Sequence, residues 1–242
     1  MLNVKDERVA VLIDSDNVSH KNIKGILGEI VNYGTPTIKR IYGDWTTQQA
    51  SGWKSVLLEH ALTPIQQYSY TVGKNSTDSA MIIDAMDILY QDNIDRFCIV
   101  SSDSDFTRLA IRLREAGRYV IGIGERKTPN AFIAACDKFI YTDIITLVET
   151  EGLHGDKSGV DIKSRKILTA MIKESINAKA DDNGYVYMGD LGNHLMTKYP
   201  DFDPRSYGFY QLTPLLKALN QFDIDERKTP NSNAKLVFIR NK

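Results

Sequence analysis

Cysteine is scarce in this sequence, because Cys98 and Cys136 are the two that occur and both have apolar neighbours. A disulfide framework or a zinc site needs more cysteines at ligand spacing, so both classes are excluded. We expect the two side chains to be small buried hydrophobic groups. Long hydrophobic runs are also missing, and the amino terminus is charged. We therefore expect no transmembrane helix, no signal peptide and a cytoplasmic location.

The remaining composition is that of a globular chain, with 42% hydrophobic and 25% charged residues in a length that suits two domains. Charge is unevenly distributed along it. Residues 160–242 contain 13 Lys and Arg against 10 Asp and Glu, a net charge of +3, whereas residues 1–159 contain 17 against 21, a net charge of −4. An acidic part followed by a basic part favours a carboxylate-rich metal site beside a module that binds a polyanion.

The first part of the chain alternates strand and helix patterns. Short apolar runs at 9–13 and 97–100 are typical of buried parallel strands, and further strands are predicted at 64–70 and 138–141. Amphipathic segments between the strands, such as 105–116, predict helices. The pattern indicates an α/β fold in three layers, a mostly parallel sheet with helices on both faces.

Residues 150–161 are polar, rich in glycine and without periodicity, which is typical of a linker. Three amphipathic helices and a β-hairpin with a turn at 229–233 are predicted beyond it. Such a series indicates a small winged-helix domain. The predicted domains are therefore 1–149 and 162–242, joined by the linker at 150–161.

Acidic residues follow two of the predicted buried strands, as Asp-Ser-Asp-Asn at 14–17 and Ser-Ser-Asp-Ser-Asp at 101–105. The carboxyl ends of parallel strands gather at one edge of a sheet, and ligands bind there. Clustered carboxylates repel one another, so we expect them to hold Mg²⁺ or Mn²⁺, hard cations that prefer oxygen ligands. The alternative is that these residues are helix N-caps, where Asp, Ser and Asn are favoured.

Asp78 heads the apolar stripe of a predicted helix and is therefore expected to point towards the sheet. The stripe continues with Met81, Ile82, Ala85 and Leu89. Asp84 and Asp87 lie on a different, polar stripe and are expected to face solvent. The alternative for Asp78 is an acid in the first turn that the helix dipole stabilises.

Two groups of residues are predicted to contact phosphate or nucleic acid. The first, at the acidic edge, is Lys74, Arg126 and Lys127. The second, around the third helix of the winged-helix domain, is Arg205, Tyr207 and Lys217. Cations mixed with an aromatic ring suit RNA phosphates and unstacked bases. The alternative is that these cations are solvated surface charges and that the tyrosine belongs to the core.

Three acidic stretches together resemble the signatures of NYN-domain proteins of the LabA-like branch, in the PIN-like nuclease superfamily. They are Val-Leu-Ile-Asp-Ser-Asp-Asn at 11–17, Lys-Asn-Ser-Thr-Asp at 74–78 and Ile-Val-Ser-Ser-Asp-Ser-Asp-Phe at 99–106. The resemblance covers roughly residues 5–148 and implies a parallel sheet between helices and metal-dependent RNA cleavage. It also implies metal-binding and catalytic roles for Asp14, Asp78, Asp103 and Asp105, with Asn17 as a polar neighbour.

Residues from about 163 to 240 resemble a LOTUS (OST-HTH) domain, most closely at 184–192 and 204–209. The resemblance implies a winged helix that binds RNA or, in some members, a protein partner. Self-association through this domain is a further alternative. Winged helices also bind DNA, but a nuclease of this kind in the same chain favours RNA.

Other functions stay open at this point. Residues 14–18 also fit the D-x-D-x-[TV] pattern of haloacid-dehalogenase-like phosphatases, yet the lysine available for that chemistry, Lys138, is at the wrong end of its strand and Asp78 has no role. A non-catalytic RNA-binding regulator with a silent nuclease fold is the second alternative. A nucleotide-binding Rossmann domain is disfavoured, because acids follow the first strand where glycines are needed.

Overall fold

The computed structural model describes residues 7–47, 51–68, 76–91, 93–150, 162–228 and 235–242. The chain divides into two compact units, Met1–Thr150 and Glu151–Lys242. Among the described residues, no helix is long and apolar enough to cross a membrane. The cytoplasmic location expected from the sequence stays a prediction.

Strands and helices alternate without exception in the described part of the first unit. The strands are β1 (Arg8–Asp14), β2 (Thr35–Gly43), β3 (Thr63–Gln66), β4 (Arg96–Val100), β5 (Tyr119–Gly124) and β6 (Lys138–Tyr141). The helices are α1 (Ile23–Ile30), α2 (Trp53–Glu59), α3 (Ser76–Gln91), α4 (Thr107–Glu115), α5 (Asn130–Ala135) and α6 (Thr142–Thr150). Short 3₁₀ turns precede α1 and α4.

All six strands are parallel and lie in the order β3-β2-β1-β4-β5-β6. The chain moves outwards from β1 to β3, then returns to place β4 on the other side of β1. The strand order therefore reverses between β1 and β4. In open α/β sheets, the crevice beyond the carboxyl ends of the strands at such a reversal is where ligands bind.

Side chains on each strand alternate between two apolar layers. Along β1, Ala10 and Leu12 belong to a buried cluster with α3, α4 and α5, whereas Val9, Val11 and Ile13 belong to a cluster with α1 and α2. The sheet is thus covered on both faces, which explains why its central strands are apolar throughout. The predicted three-layer α/β fold is confirmed.

The second unit contains three helices and a three-stranded antiparallel sheet in its described part. Its elements are α7 (Ile162–Lys179), β7 (Val186–Tyr187), α8 (Met188–Lys198), α9 (Leu212–Leu219), β8 (Phe222–Lys228) and β9 (Lys235–Asn241). The strand order is β7-β9-β8. Helices and sheet enclose a separate core that includes Ile172, Leu195 and Ile239. This is the predicted winged helix, and its predicted turn at 229–233 lies outside the described residues.

Some elements differ from the sequence predictions. The predicted strand at 64–70 ends at Gln66, where its partner β2 also ends, with Gly43 paired to Gln66; residues 69–70 lie outside the described part. Helix α6 and the two-residue strand β7 were not predicted. Helix α6 directly follows β6 with no turn signal between them, and β7 is too short for alternation to be visible. The cysteines are buried and unpaired, as predicted.

Tight packing against β5 gives a test of the sheet. A Cβ atom at Gly122 would lie 2.5 Å from Phe139 Cδ2 and 2.8 Å from Cys136 Sγ. We expect Gly122→Ala to lower the free energy of unfolding by about 1–3 kcal/mol, because the core must shift to admit the methyl group. Gly28→Ala in α1, which meets nothing within 4 Å, is the control and should raise it by up to about 1 kcal/mol. Urea unfolding measures both, and equal effects would contradict this packing.

Candidate active site

Asp14 is the last residue of β1 and is almost completely buried. Alternation along β1 places its side chain on the face covered by α3. Its carboxylate accepts hydrogen bonds from Asn17 Nδ2 at 2.6 Å, from Ser101 Oγ at 2.9 Å and from the backbone N–H of Asp16 at 3.0 Å. These three donors fix the orientation of the Asp14 carboxylate.

The turn after β4 connects Asp14 to a second pair of acids. The buried Ser101 hydroxyl donates to Asp14 and accepts a hydrogen bond from the backbone N–H of Asp103 at 3.0 Å. Asp103 is the N-cap of the short 3₁₀ turn Ser104–Phe106, and its carboxylate accepts from the backbone N–H of Asp105 at 2.9 Å. The capping role expected as an alternative is therefore real for Asp103, and it also holds the side chain in place.

Asp78 lies in the first turn of α3 and is 9% exposed. It precedes Met81, Ala85 and Leu89, which are buried against the sheet. The apolar stripe thus faces the core as the helical period predicts, and it carries the Asp78 carboxylate towards the carboxyl-terminal edge of the strands.

Three carboxylates meet at this edge. Asp78, Asp103 and Asp105 each offer one oxygen, and these oxygens all lie within 4.8 Å of one another. Asp14 is not part of this group of three and adjoins it through Ser101. An all-oxygen donor set is the chemistry that Mg²⁺ and Mn²⁺ prefer.

Negative charge is concentrated here. Burial, followed by the charges of Asp14, Asp103, Asp105 and Asp16, raises the pKa of Asp78 to about 6. Burial also raises the pKa of Asp14, against the opposing effect of its hydrogen bonds from Asn17 and Ser101. A carboxylate whose ionisation is opposed by its neighbours gains most from a nearby cation.

Asp84 has a role that the sequence did not predict. Its carboxylate accepts hydrogen bonds from the Arg40 guanidinium and from the buried Tyr42 hydroxyl, both on β2. The prediction that Asp84 faces solvent is wrong, because the polar stripe of α3 partly faces β2 and meets a cation there. Asp87, on the same helix, is exposed as predicted.

Comparison with known families agrees with this geometry. Residues 8–146 match the NYN domain. The chain belongs to the NYN domain family. Residues 162–234 match the OST-HTH/LOTUS domain, which lies in the second unit. The resemblances seen in the sequence are confirmed: an NYN domain, from the PIN-like nuclease superfamily, precedes a domain of an RNA-associated class.

Similar proteins add little about activity. An uncharacterized protein of Methanocaldococcus jannaschii is 29% identical over 126 residues, which are 49% of this chain and 48% of that protein. The chain thus spans about half the length of this relative. A Vibrio parahaemolyticus protein of unknown function has a TM-score of 0.48 at 19% identity, over 58% of this chain and 96% of that one. An uncharacterized Nitrosomonas europaea protein has a TM-score of 0.28 at 35% identity, over 32% of this chain and 71% of that one.

Two of the three cations predicted near the acidic edge of the NYN domain already have partners. Arg126 pairs with Asp143 at 2.9 Å and lies over the Tyr141 ring, 4.0 Å from its centroid. Lys127 pairs with Glu125 at 2.9 Å. Lys74 lies outside the described residues. For Arg126 and Lys127, a contact with phosphate would compete with these interactions.

The residues predicted to bind RNA in the second unit are also engaged. Arg205 forms a largely buried ion pair with Asp203 at 2.7 Å. Lys217 pairs with Glu226 at 3.0 Å. Tyr207 is partly buried against the core of the unit. Their roles in RNA binding stay predictions. The charges of Arg205 and Lys217 are partly neutralised by their acidic partners, which the sequence did not show.

Two residues that the structure brings into the site were not among the predicted nuclease residues. Ser101 connects Asp14 with Asp103, and its place directly after a buried strand was the available signal. Asp16 is close enough to raise the pKa of Asp78. It lies within the acidic stretch at 14–17 but was not singled out, because no periodicity shows which face a turn residue occupies.

The raised pKa of Asp78 predicts a pH-dependent stability. In chelator, folded protein keeps a proton on Asp78 up to about pH 6, whereas the unfolded chain loses it near 3.8. The folded state binds more protons in this window, so the free energy of unfolding falls as pH rises through it. We expect Asp78→Asn to be more stable than the unsubstituted chain by about 1–3 kcal/mol at pH 7.5, and equally stable at pH 4.

Urea unfolding at the two pH values measures this difference, with the exposed Asp87→Asn on the same helix as the matched control. The control should change stability by less than about 0.5 kcal/mol at either pH. A loss of stability in Asp78→Asn at pH 7.5 would mean that the carboxylate makes a favourable contact instead of suffering repulsion.

Proposed function

We propose that this protein is a metal-dependent ribonuclease, in which the NYN domain cleaves RNA phosphodiester bonds and the LOTUS domain binds RNA. One observation carries the proposal: the carboxylates of Asp78, Asp103 and Asp105 meet at the strand-order reversal of an NYN domain. Acids from separate segments of the chain have little reason to converge in a purely structural role, since their mutual repulsion is unfavourable.

The four acids divide between two roles in this proposal. Asp78, Asp103 and Asp105 would hold Mg²⁺ or Mn²⁺. A bound cation of this kind supplies Lewis-acid stabilisation of the phosphodiester and lowers the pKa of water. Asp14 Oδ2 is held by Asn17 and Ser101, while Oδ1 accepts one backbone hydrogen bond. A carboxylate oxygen can accept a second, so Asp14 Oδ1 is suited to orient a water molecule or take its proton.

The phosphatase alternative is less compatible with the fold. That chemistry requires a lysine beside the acidic residues, and Lys138 is the first residue of β6. It therefore lies towards the amino-terminal edge of the parallel sheet, whereas the acids lie at the carboxyl-terminal edge. The phosphatase reading also leaves Asp78 unused, although Asp78 is one of the three converging carboxylates.

Cleavage of a labelled single-stranded RNA by the purified full chain, with Mn²⁺ or Mg²⁺ and with chelator, tests the proposal. We expect cleavage that chelator abolishes. Asp78→Asn and Asp103→Asn should each reduce the rate by at least about 100-fold, because each removes a carboxylate that acts in the reaction. The control Asp87→Asn, which changes an exposed acid of α3, should cleave at the unsubstituted rate.

Two other outcomes have definite meanings. RNA binding without cleavage, unchanged in Asp78→Asn and Asp103→Asn, would identify a non-catalytic RNA-binding regulator with a silent nuclease fold. Release of phosphate from a small phosphomonoester, with RNA left intact, would restore the phosphatase alternative.

A further inference from the structure

An open groove of about 510 Å³ runs along α7, beside the end of α9, in the second unit. Three cations line it: Arg165, Lys166 and Lys173. Thr169 and Gln221 add uncharged polar groups, and none of the described residues lining the groove is acidic. The described lining of the groove thus presents positive charge, and no negative charge, to a ligand. None of its three cations was among the predicted RNA-binding residues.

Helical spacing places these cations in a row. Arg165, Thr169 and Lys173 are four residues apart in succession, and Lys166 is seven residues before Lys173, so all four lie on one face of α7. From Arg165 to Lys173 the helix rises about 12 Å. A row of this length suits successive charges of an extended polyanion better than one small anion.

The groove cations have no acidic partner among the described residues, unlike most other described cations of the unit. Six described cations there form ion pairs with Asp or Glu: Lys198, Arg205, Lys217, Arg227, Lys235 and Arg240. Arg165, Lys166 and Lys173 form no such pair with a described residue. A phosphate can therefore bind them without breaking an ion pair with a described residue.

Aromatic side chains adjoin one end of the row. Arg165 and Leu219 line the groove and also a small neighbouring cavity, whose wall includes Tyr207 and Phe209. Proteins that bind single-stranded nucleic acid combine a basic groove along the backbone with aromatic rings near the bases. The predicted residue Tyr207 is thus placed beside the cations that the sequence analysis did not select.

We propose that this groove of the LOTUS domain binds the sugar-phosphate backbone of RNA, with Arg165, Lys166 and Lys173 contacting phosphates. The assignment rests on the proposed function, because it takes RNA as the ligand of the chain. It differs from the sequence-based expectation in moving the main cationic contact from Arg205 and Lys217 on the α9 side to α7.

Binding of the full chain to a fluorescent single-stranded RNA, measured by anisotropy in chelator across a salt series, tests the assignment. The triple variant Arg165→Gln, Lys166→Gln, Lys173→Gln should bind about tenfold more weakly at moderate salt. Its dependence of log affinity on log salt should be flatter by about 2, because each phosphate contact in a single strand contributes about 0.7 to the slope. Because chelator prevents metal-dependent cleavage, this assay measures RNA binding alone. The nuclease proposal can therefore fail while the binding result stands.

A matched control removes three paired cations of the same unit, as Lys198→Gln, Arg227→Gln and Lys235→Gln. It changes the net charge equally and should keep affinity within about twofold, since paired surface charges contribute little. Thermal unfolding of both variants checks that they fold. An equal loss of affinity in both variants would mean that net charge alone determines RNA binding, and it would contradict the assignment of the groove. Full affinity in the groove variant would contradict it as well.

DNA of the same sequence separates the two possible nucleic acids. RNA bound more tightly than DNA, with RNA affinity lost in the groove variant, supports the assignment. Equal binding of DNA would overturn the choice of RNA as the specific ligand. Unchanged RNA affinity, with self-association lost in the groove variant, would instead make the groove an interface between copies of the chain.

Discussion

Strand β1 pairs with β2 on one side and with β4 on the other, and the second pairing determines where the acids of the first unit lie. It brings Asp14 within hydrogen-bonding distance of Ser101, 87 positions along the chain. Because side chains alternate along a strand, a register slip of one residue would turn Asp14 towards the opposite helical layer, away from Asp78. The position of the site is therefore determined by strand pairing, and the turns after β1 and β4 supply its remaining residues.

Convergence of acids weakens the fold locally, and other contacts offset the repulsion. The pKa of Asp78 shows that its ionisation is opposed by burial and by neighbouring charges. Helix α3 is held nevertheless, because Met81 and Ala85 are buried against the sheet. The ion pair of Asp84 with Arg40 adds a second attachment to β2 further along the helix. The helix that carries Asp78 is thus fixed by contacts that lie outside the cluster of carboxylates.

Local sequence pattern was enough to predict the alternating elements, the acids after β1 and β4, and the core-facing position of Asp78. Each of these follows from a short period or from a polar residue ending an apolar run. Strand order was not predictable in this way, because nothing in a strand's own residues says that β4 returns to the free side of β1. The partners of Asp84 and Lys217 were also missed. Long charged side chains choose partners by tertiary distance, as Lys217 does with Glu226 across nine positions.

The two units have separate hydrophobic cores. In the first unit, two apolar layers cover the faces of the parallel sheet, and in the second unit a single core lies inside the winged helix. A domain with its own hydrophobic core can be replaced as a whole with little effect on packing elsewhere. Recombination could therefore exchange the second unit for another without disturbing the carboxylates of the first. In evolutionary terms, the acidic site and the winged helix can diverge separately, and a protein engineer could join a different second domain to the same acidic sheet.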